Sequence, residues 1–434
     1  MSLRRVLVAV TAAVATGALL AGCSSPAASP PASKSAKEAP KGDITFWSSL
    51  SGMADVAAAF NATHPDIKVT FEEIPQAASG GYTKLSAAIG SGTGPDVVGI
   101  EYPSLTDFVS SGQLTPLDEL ISAKTLGKYP KNIRSLVSFA DQTYAMPYDA
   151  PPSIMWYRQD ILEAAGVNEV PKSWDEYEQA AKAVKAWNPD AYLGSFFTSE
   201  PQLASIAWTA GATWFAVKDD KWKVTIDDKE TMKAADWWQK LIDEGLVKKQ
   251  PGLNDEWVAD LQNDTVASWL AGSWSASSLK RRTEPANQQG KWIAALPPTE
   301  SGKPGGALNG GTSFTIPKTS KNPEAAAVFL EWLTTTPESV TARGAVGTTY
   351  LAYPGLNDAA KAVAPTDYYA NDIYAVFDEA YSHLRPWAWG PSYSVTYTAM
   401  TDAVASEPTI GDAVEKTQKA TVTGLKQLGL EIAK

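Results

Sequence analysis

From Asp43 onward the chain alternates between two hydrophobic periods. "DITFW", ending at Trp47, reads as a short strand, and Met53 to Ala62 repeats its apolar positions at helical spacing. "DIKVTFEEI" returns to strand-like alternation and Tyr82 to Ile89 to helix. "PDVVGI" is then a continuous apolar run suited to a strand covered on both faces. This β-α-β-α-β order predicts a largely parallel sheet flanked by helices. Later helices carry start and stop signals. In "KSWDEYEQAAKAVKAW", Ser173 and Glu176 have the spacing of a capping box. In "KNPEAAAVFLEWL", Asn322 is the predicted cap, Pro323 opens the helix, and Ala326, Phe329, Leu330 and Leu333 share one face. Asp236 to Glu244 carries Trp237 and Leu241 on one side, with Gly245 as the stop. No sharp linker divides this body, which fits two lobes between which the chain crosses more than once.

The segment before Asp43 has a different character. Arg4 and Arg5 precede an apolar run from Val6 to Leu20 that is too short for a membrane span and ends in "LLAGC". Leu20-Ala21-Gly22-Cys23 resembles the bacterial lipobox, in which signal peptidase II cleaves before an acylated cysteine. Residues 1–22 are therefore expected to be a lipoprotein signal peptide and Cys23 the lipidation site, carrying palmitate or a similar acyl chain. Residues 23–42, rich in Ser, Pro, Ala and Lys, read as a flexible tether. The folded body would then stand at the extracellular face of the cell membrane, held there by lipid. Cys23 is the only cysteine, so no internal disulfide can form.

Composition narrows the function classes. A chain of 434 residues with 44% hydrophobic and 20% charged residues is an ordinary globular protein, and a net charge of −11 argues against nucleic acid as a partner. His64 and His383 are the only histidines, so no metal centre and no cofactor is expected. Gly90, Gly92 and Gly94 precede a strand, whereas a phosphate-binding loop follows one. The unusual feature is aromatic: 16 tryptophans against 11 phenylalanines. In "RPWAWGPSY", Trp387 and Trp389 stand two apart between Pro386 and Gly390-Pro391, which excludes a helix interior. In an extended segment both indoles would face the same way.

In open parallel sheets, ligands bind beyond the carboxyl ends of the strands. That rule selects Trp47 and Ser48 after the first strand, Glu101 and Tyr102 after the third, and Tyr148 and Asp149 at the end of "YAMPYD". The residue types suit a sugar, whose C–H face complements an indole and whose hydroxyl rim needs carboxylates and amides. Trp387 and Trp389 are then expected to be platforms. Trp237, Trp238 and Trp332 are assigned to the core. Arg385 could bind a hydroxyl or pair with an acid of its own lobe, and the sequence leaves both open.

Several stretches resemble the family 1 extracellular solute-binding proteins, the sugar receptors of ABC importers. "AFNATHPDIKVTFEEI", "GTGPDVVGIEYPSLTDFVSSGQLTPLDEL", "YAMPYDAPPSIMWYRQDILEAAGV", "LAGSWSASSLK" and "NGGTSFTIPKTSKNPEAAAVFLEWL" are similar to family segments in the expected order. The resemblance implies a two-lobed α/β periplasmic-binding-protein-like fold of class II type, with the ligand cleft between lobes joined by a multi-strand hinge. It puts residues 43–148 and 310–348 in an N-terminal lobe, and 149–309 and 349–434 in a C-terminal lobe. The crossings fall near Tyr148 to Ala150, Leu308 to Gly311 and Thr348 to Tyr353. Trp274 in "GSW" matches a family position that faces the cleft, while Gly310 and Gly311 either permit a tight crossing or donate backbone amides. The implied activity is capture of a neutral di- or oligosaccharide by a monomer that is not an enzyme and that delivers it to permease subunits. Alternative readings are a carbohydrate-active hydrolase, or a receptor of the same fold for a non-sugar solute such as a polyamine.

Overall fold

The computed structural model describes residues 39–76 and 80–433. The leader, Cys23 and most of the tether lie outside the described residues. From the first strand, β1 (Gly42–Ser48), α1 (Met53–Thr63), β2 (Ile67–Glu73), α2 (Gly81–Gly90), β3 (Val97–Glu101) and α3 (Tyr102–Ser110) follow in the predicted alternation. β1 runs parallel to both β2 and β3. Its centre, Phe46, is fully buried, with the rings of Phe71, Phe314 and Phe329 around it at 5.1 to 5.6 Å. Alternation turns Trp47 to the opposite face, beneath the ammonium of Lys84 on α2.

The chain leaves this sheet through β4 (Met146–Pro147) and enters a second one with β5 (Ser153–Arg158). There follow α4 (Trp174–Trp187), β6 (Gly194–Phe197), α5 (Glu200–Ala210), α6 (Lys229–Asp243), β7 (Val247–Gln250), α7 (Asp255–Gln262), β8 (Ser268–Gly272), α8 (Ser275–Thr283) and β9 (Trp292–Ala295). β5 is antiparallel to both β8 and β9, β7 is parallel to β6, and a parallel bridge between Tyr192 and Val266 joins the two parts. The strands β6 to β9 therefore all point one way, and β5 alone points back.

β10 (Thr312–Thr315) then returns to the first sheet, antiparallel to β3 and β4, and completes the order β2-β1-β3-β10-β4. α9 (Pro323–Thr335) and α10 (Pro337–Arg343) cover that lobe. α11 (Tyr393–Ser406) and α12 (Ile410–Gln427) pack on each other, and α12 also packs on α6 of the second lobe. The parallel arrangement thus holds from β1 to β3. β4, which takes the chain out of the lobe, keeps that direction, and β10 alone, which brings the chain back, runs against it.

Local signals explain most element boundaries. At the start of α4, the Glu176 N–H donates to Ser173 Oγ at 3.2 Å and the Ser173 N–H donates to Glu176 Oε2 at 3.1 Å, a complete capping box. Ala326, Phe329, Leu330 and Leu333 of α9 are all fully buried along one face. Asn322 departs from expectation. Its side chain makes no cap, because Nδ2 donates to the Asp43 carbonyl at 2.9 Å and ties the start of α9 to β1.

Three segments run side by side between the lobes. Tyr148 N–H donates to Thr312 O at 2.9 Å, Ala150 N–H to Tyr350 O at 2.8 Å, and Asn309 N–H to Pro151 O at 3.0 Å. The carboxylate of Asp149 joins all three segments. Its Oδ1 accepts from the Thr312 N–H at 2.6 Å and its Oδ2 from the Thr349 hydroxyl at 3.2 Å. Gly311 completes the crossing at φ +112°, with the Tyr102 ring so close that an added Cβ would lie 2.6 Å from it. A side chain there meets both backbone strain and a clash. Gly311→Ala is therefore expected to lower the unfolding free energy by about 1–3 kcal/mol. Denaturant titration checks this, and an unchanged midpoint contradicts it.

Candidate functional site

Both lobes present the same kind of edge to the crossing. Thr312, where the chain enters β10, pairs with Glu101 at the carboxyl end of β3. Ser153, where the chain enters β5, pairs with Gly272 at the carboxyl end of β8. The carboxyl ends of β1 to β3 on one side and of β6 to β9 on the other are thus turned toward the crossing strands. That is where open α/β sheets bind ligands.

Three features reach the surface at this floor. Glu101 ends β3, and its N–H donates to the Tyr82 hydroxyl at 2.7 Å. Its side chain is exposed to water at the strand end, with the surrounding protein partly desolvating it. This desolvation, helped by the charge of Asp149, pushes the carboxyl from its ordinary 4.5 up to about 7. Trp274, half-exposed at the end of β8, is held by its Nε1–H, which donates to Asn309 O at 2.8 Å. Trp269 backs it edge-on at 5.8 Å. Gly310, half-buried at φ +80°, lies against the Trp274 indole and leaves bare backbone between the lobes. An apolar plate on one lobe, an acceptor on the other and polar backbone between them can hold a small molecule that has both a C–H face and hydroxyls.

The other sequence-selected residues are placed differently. Ser48 is 1% exposed; its hydroxyl accepts from the Leu50 N–H and faces Gly99 of β3, so it is withdrawn from the cleft surface. Trp47 is buried under Lys84. Tyr102 is fully buried and donates its hydroxyl to Asp149 O at 2.6 Å, while the Tyr148 hydroxyl accepts from Arg343 Nη1 at 3.0 Å. Asp149 itself is buried with both oxygens engaged. Burial raises its pKa, against the opposing pull of the Thr312 N–H, Arg343 and Thr349. These groups, with Gly311, build the floor from beneath.

The aromatic loop also needs correction. Trp387 does not stand out as a platform: its ring stacks on Trp208 of α5 at 4.8 Å and 16° and touches Trp214 at 5.5 Å, within the core of the second lobe. Trp389 is half-buried and lies across Tyr393 at 4.8 Å. The two rings meet at 74°, so they do not share a plane or a direction. Arg385 is drawn away from the crossing. Its Nη1 lies over Gly211, and it lines a surface cavity of about 260 Å³ with Trp174, Glu230, Lys233 and Glu300. Trp238 is buried and Trp237 and Trp332 are partly so, packed as core residues.

Two contributors escaped the sequence reading. Tyr82 opens α2, the helix after β2, so the strand-end rule could have found it. Asp107 lies midway along α3 and gives no sequence signal. Its carboxylate accepts from both the Ser394 N–H and hydroxyl at 3.3 Å, at the N-terminus of α11, and so joins one lobe to the other. Burial pushes it from 3.8 up to about 6, with the Ser394 hydrogen bonds working in the opposite direction.

Residues 47–339 match the family described as bacterial extracellular solute-binding protein. The chain belongs to that family. Among relatives of the solute-binding protein, the lactose-binding protein of Rhizobium radiobacter is 27% identical over 335 residues, 72% of this chain and 76% of that one. The arabinooligosaccharide-binding protein of Bacillus subtilis is 24% identical over 329 residues, 72% of each chain. The fold is shared with the galacto-N-biose-/lacto-N-biose I-binding protein of Bifidobacterium longum. There the TM-score is 0.82 at 23% identity, with 92% of this chain and 100% of that one covered. An ABC transporter associated binding protein from B. animalis subsp. lactis Bl-04, solved with beta-1,6-galactobiose, gives a TM-score of 0.74 at 26% identity, covering 90% of this chain and 99% of that one.

The raised pKa of Glu101 has a measurable consequence. The folded solute-binding protein keeps this proton to higher pH than the unfolded chain does. The group's stabilising contribution is therefore full below pH 4.5 and lost as pH rises through about 7. Glu101→Gln removes that titration. The variant is expected to melt above the wild type beyond pH 7 and to converge with it near pH 4.5. Melting curves across this window test the assignment, and a gap that widens toward acid contradicts it.

Proposed function

We propose that this solute-binding protein captures a neutral di- or oligosaccharide between its lobes and delivers it to the permease of an ABC importer. The observation that carries this reading is the pairing, at one crossing, of the half-exposed Trp274 with the exposed Glu101 over bare Gly310. An indole face and a hydroxyl acceptor are the two demands of a sugar ring. The carbohydrates named for its relatives support the same class of ligand. Closure of residues 43–148 with 310–348 onto 149–309 with 349–434 would bring the two halves of the site together. The Asp107–Ser394 contact is suited to holding that closed form. We further place the protein at the outer face of the membrane, anchored through Cys23 as a monomer.

A hydrolase would need two carboxyl groups free to work on one glycosidic bond. Asp149, the acid nearest to Glu101 in effect, already has both oxygens occupied at the crossing, which favours binding over turnover. A polyamine receptor would need convergent ionised acids. Asp149, the acid whose charge reaches Glu101, has both oxygens hydrogen-bonded within the crossing and is not free to converge with it on a cation.

A calorimetric screen of the wild type against neutral disaccharides, with a polyamine as control, tests the reading. Trp274→Ala is expected to weaken binding of the responding sugar by about tenfold or more, equivalent to ~1.4 kcal/mol. Equal affinity in the variant would place the ligand elsewhere, and release of monosaccharide would favour the hydrolase.

A further inference from the structure

Among the described residues, most non-glycine positions with a left-handed backbone are ones that adopt it readily. Asp141, Asp219, Asp220, Asp264 and Asn287 are of this kind. Ala140, Ser392 and Leu253 are not, and of these three Leu253 alone carries a large apolar side chain. It holds φ +64° and is 46% exposed. The surrounding chain explains the backbone. Gly252 is pressed on the Phe197 ring so closely that an added Cβ would lie 2.3 to 2.6 Å from three of its carbons. On the other side, Asn254 caps α7 by accepting from the Trp257 N–H at 2.9 Å. With both neighbours fixed, the residue between them must turn through the left-handed region.

Nothing in that argument asks for leucine. Glycine or asparagine would take the same turn with less strain, and exposure denies the side chain the gain from burial. An exposed leucine held in this turn is available to a partner from outside the chain. The position indicates which partner. Leu253 follows the carboxyl end of β7, which runs parallel to β6, on the edge of the second sheet that is turned toward the crossing. A row of rings links this point to the cleft floor. Phe197 meets Trp257 at 5.3 Å, Trp257 meets Trp269 at 4.8 Å, and Trp269 meets Trp274 at 5.8 Å.

We propose that Leu253 is a specificity-determining contact that covers the C–H face of an outer sugar residue, beyond the one stacked on Trp274, and so favours longer oligosaccharides. This rests on the carbohydrate reading above. A leucine offers no hydrogen bond, so it discriminates by length and apolar face and is indifferent to the pattern of hydroxyls.

The test uses Leu253→Gly and Leu253→Asn, both of which suit the left-handed backbone and so preserve the fold. Wild type and variants are titrated by calorimetry with malto- and β-galacto-oligosaccharides from di- to pentasaccharide. The variants are expected to melt no lower than the wild type. They should keep its affinity for the shortest sugar bound and lose about threefold or more for longer ones. The same length dependence in all three proteins overturns the proposal and leaves the sugar site intact. So does unchanged binding with reduced uptake in cells, which would assign Leu253 to the permease. A wild type that binds no sugar of either series overturns this proposal together with the carbohydrate reading.

Discussion

Asp149 stands where three passes of the chain lie side by side, and its carboxylate accepts a hydrogen bond from each of the other two. The arrangement is demanding. A buried acid must be compensated by fixed donors, and removing one donor leaves charge or lone pairs unpaired in low dielectric. The Thr312 N–H, the Thr349 hydroxyl and the nearby Arg343 supply that compensation. The crossing can therefore flex as a unit but cannot easily unravel. The register between the strands also fixes what stands above them: Glu101 from β3, Gly310 from the returning segment, and Trp274 through its bond to Asn309.

Much of this was legible before the structure, and the reasons divide by range. Capping at Ser173 and Glu176, the buried face of α9 and, to within a residue, the ends of β1 and β3 depend on residues a few positions apart, so local pattern suffices. Asn322 shows the limit, because its side chain prefers a carbonyl of β1 that is distant in sequence. Trp387 shows it more clearly. The fences of proline and glycine correctly exclude a helix, but only the arrival of α5 with Trp208 decides which way the indole turns. Ser48 and Tyr102 lie at strand ends as the rule requires. Alternation and the close approach of Gly99 and Gly311 put them beneath the surface. The strand-end rule finds the right edge of the sheet; it does not separate the residues that line the cleft from those that support it.

The electrostatics follow from the same geometry. Two carboxyls with raised pKa values, Glu101 at about 7 and Asp107 at about 6, lie on the first lobe at or beside the edge that meets the second. Each is partly desolvated by the protein around it, and a donor facing it offsets that cost. For Asp107 the donors, the Ser394 N–H and hydroxyl at the N-terminus of α11, are in place and offset part of the cost of burial. For Glu101 a ligand hydroxyl would serve. A ligand hydroxyl at Glu101 would offset desolvation as Ser394 does at Asp107, which gives a physical reason for a sugar and a shut cleft to favour one another.

That coupling is the central claim, and small-angle X-ray scattering of the full chain with and without a bound oligosaccharide tests it most directly. The radius of gyration should fall as the sugar saturates the protein, and the fall should be smaller for Trp274→Ala at equal sugar concentration. A radius that stays constant through complete saturation would contradict the account, since the ligand would then be held without drawing the lobes together.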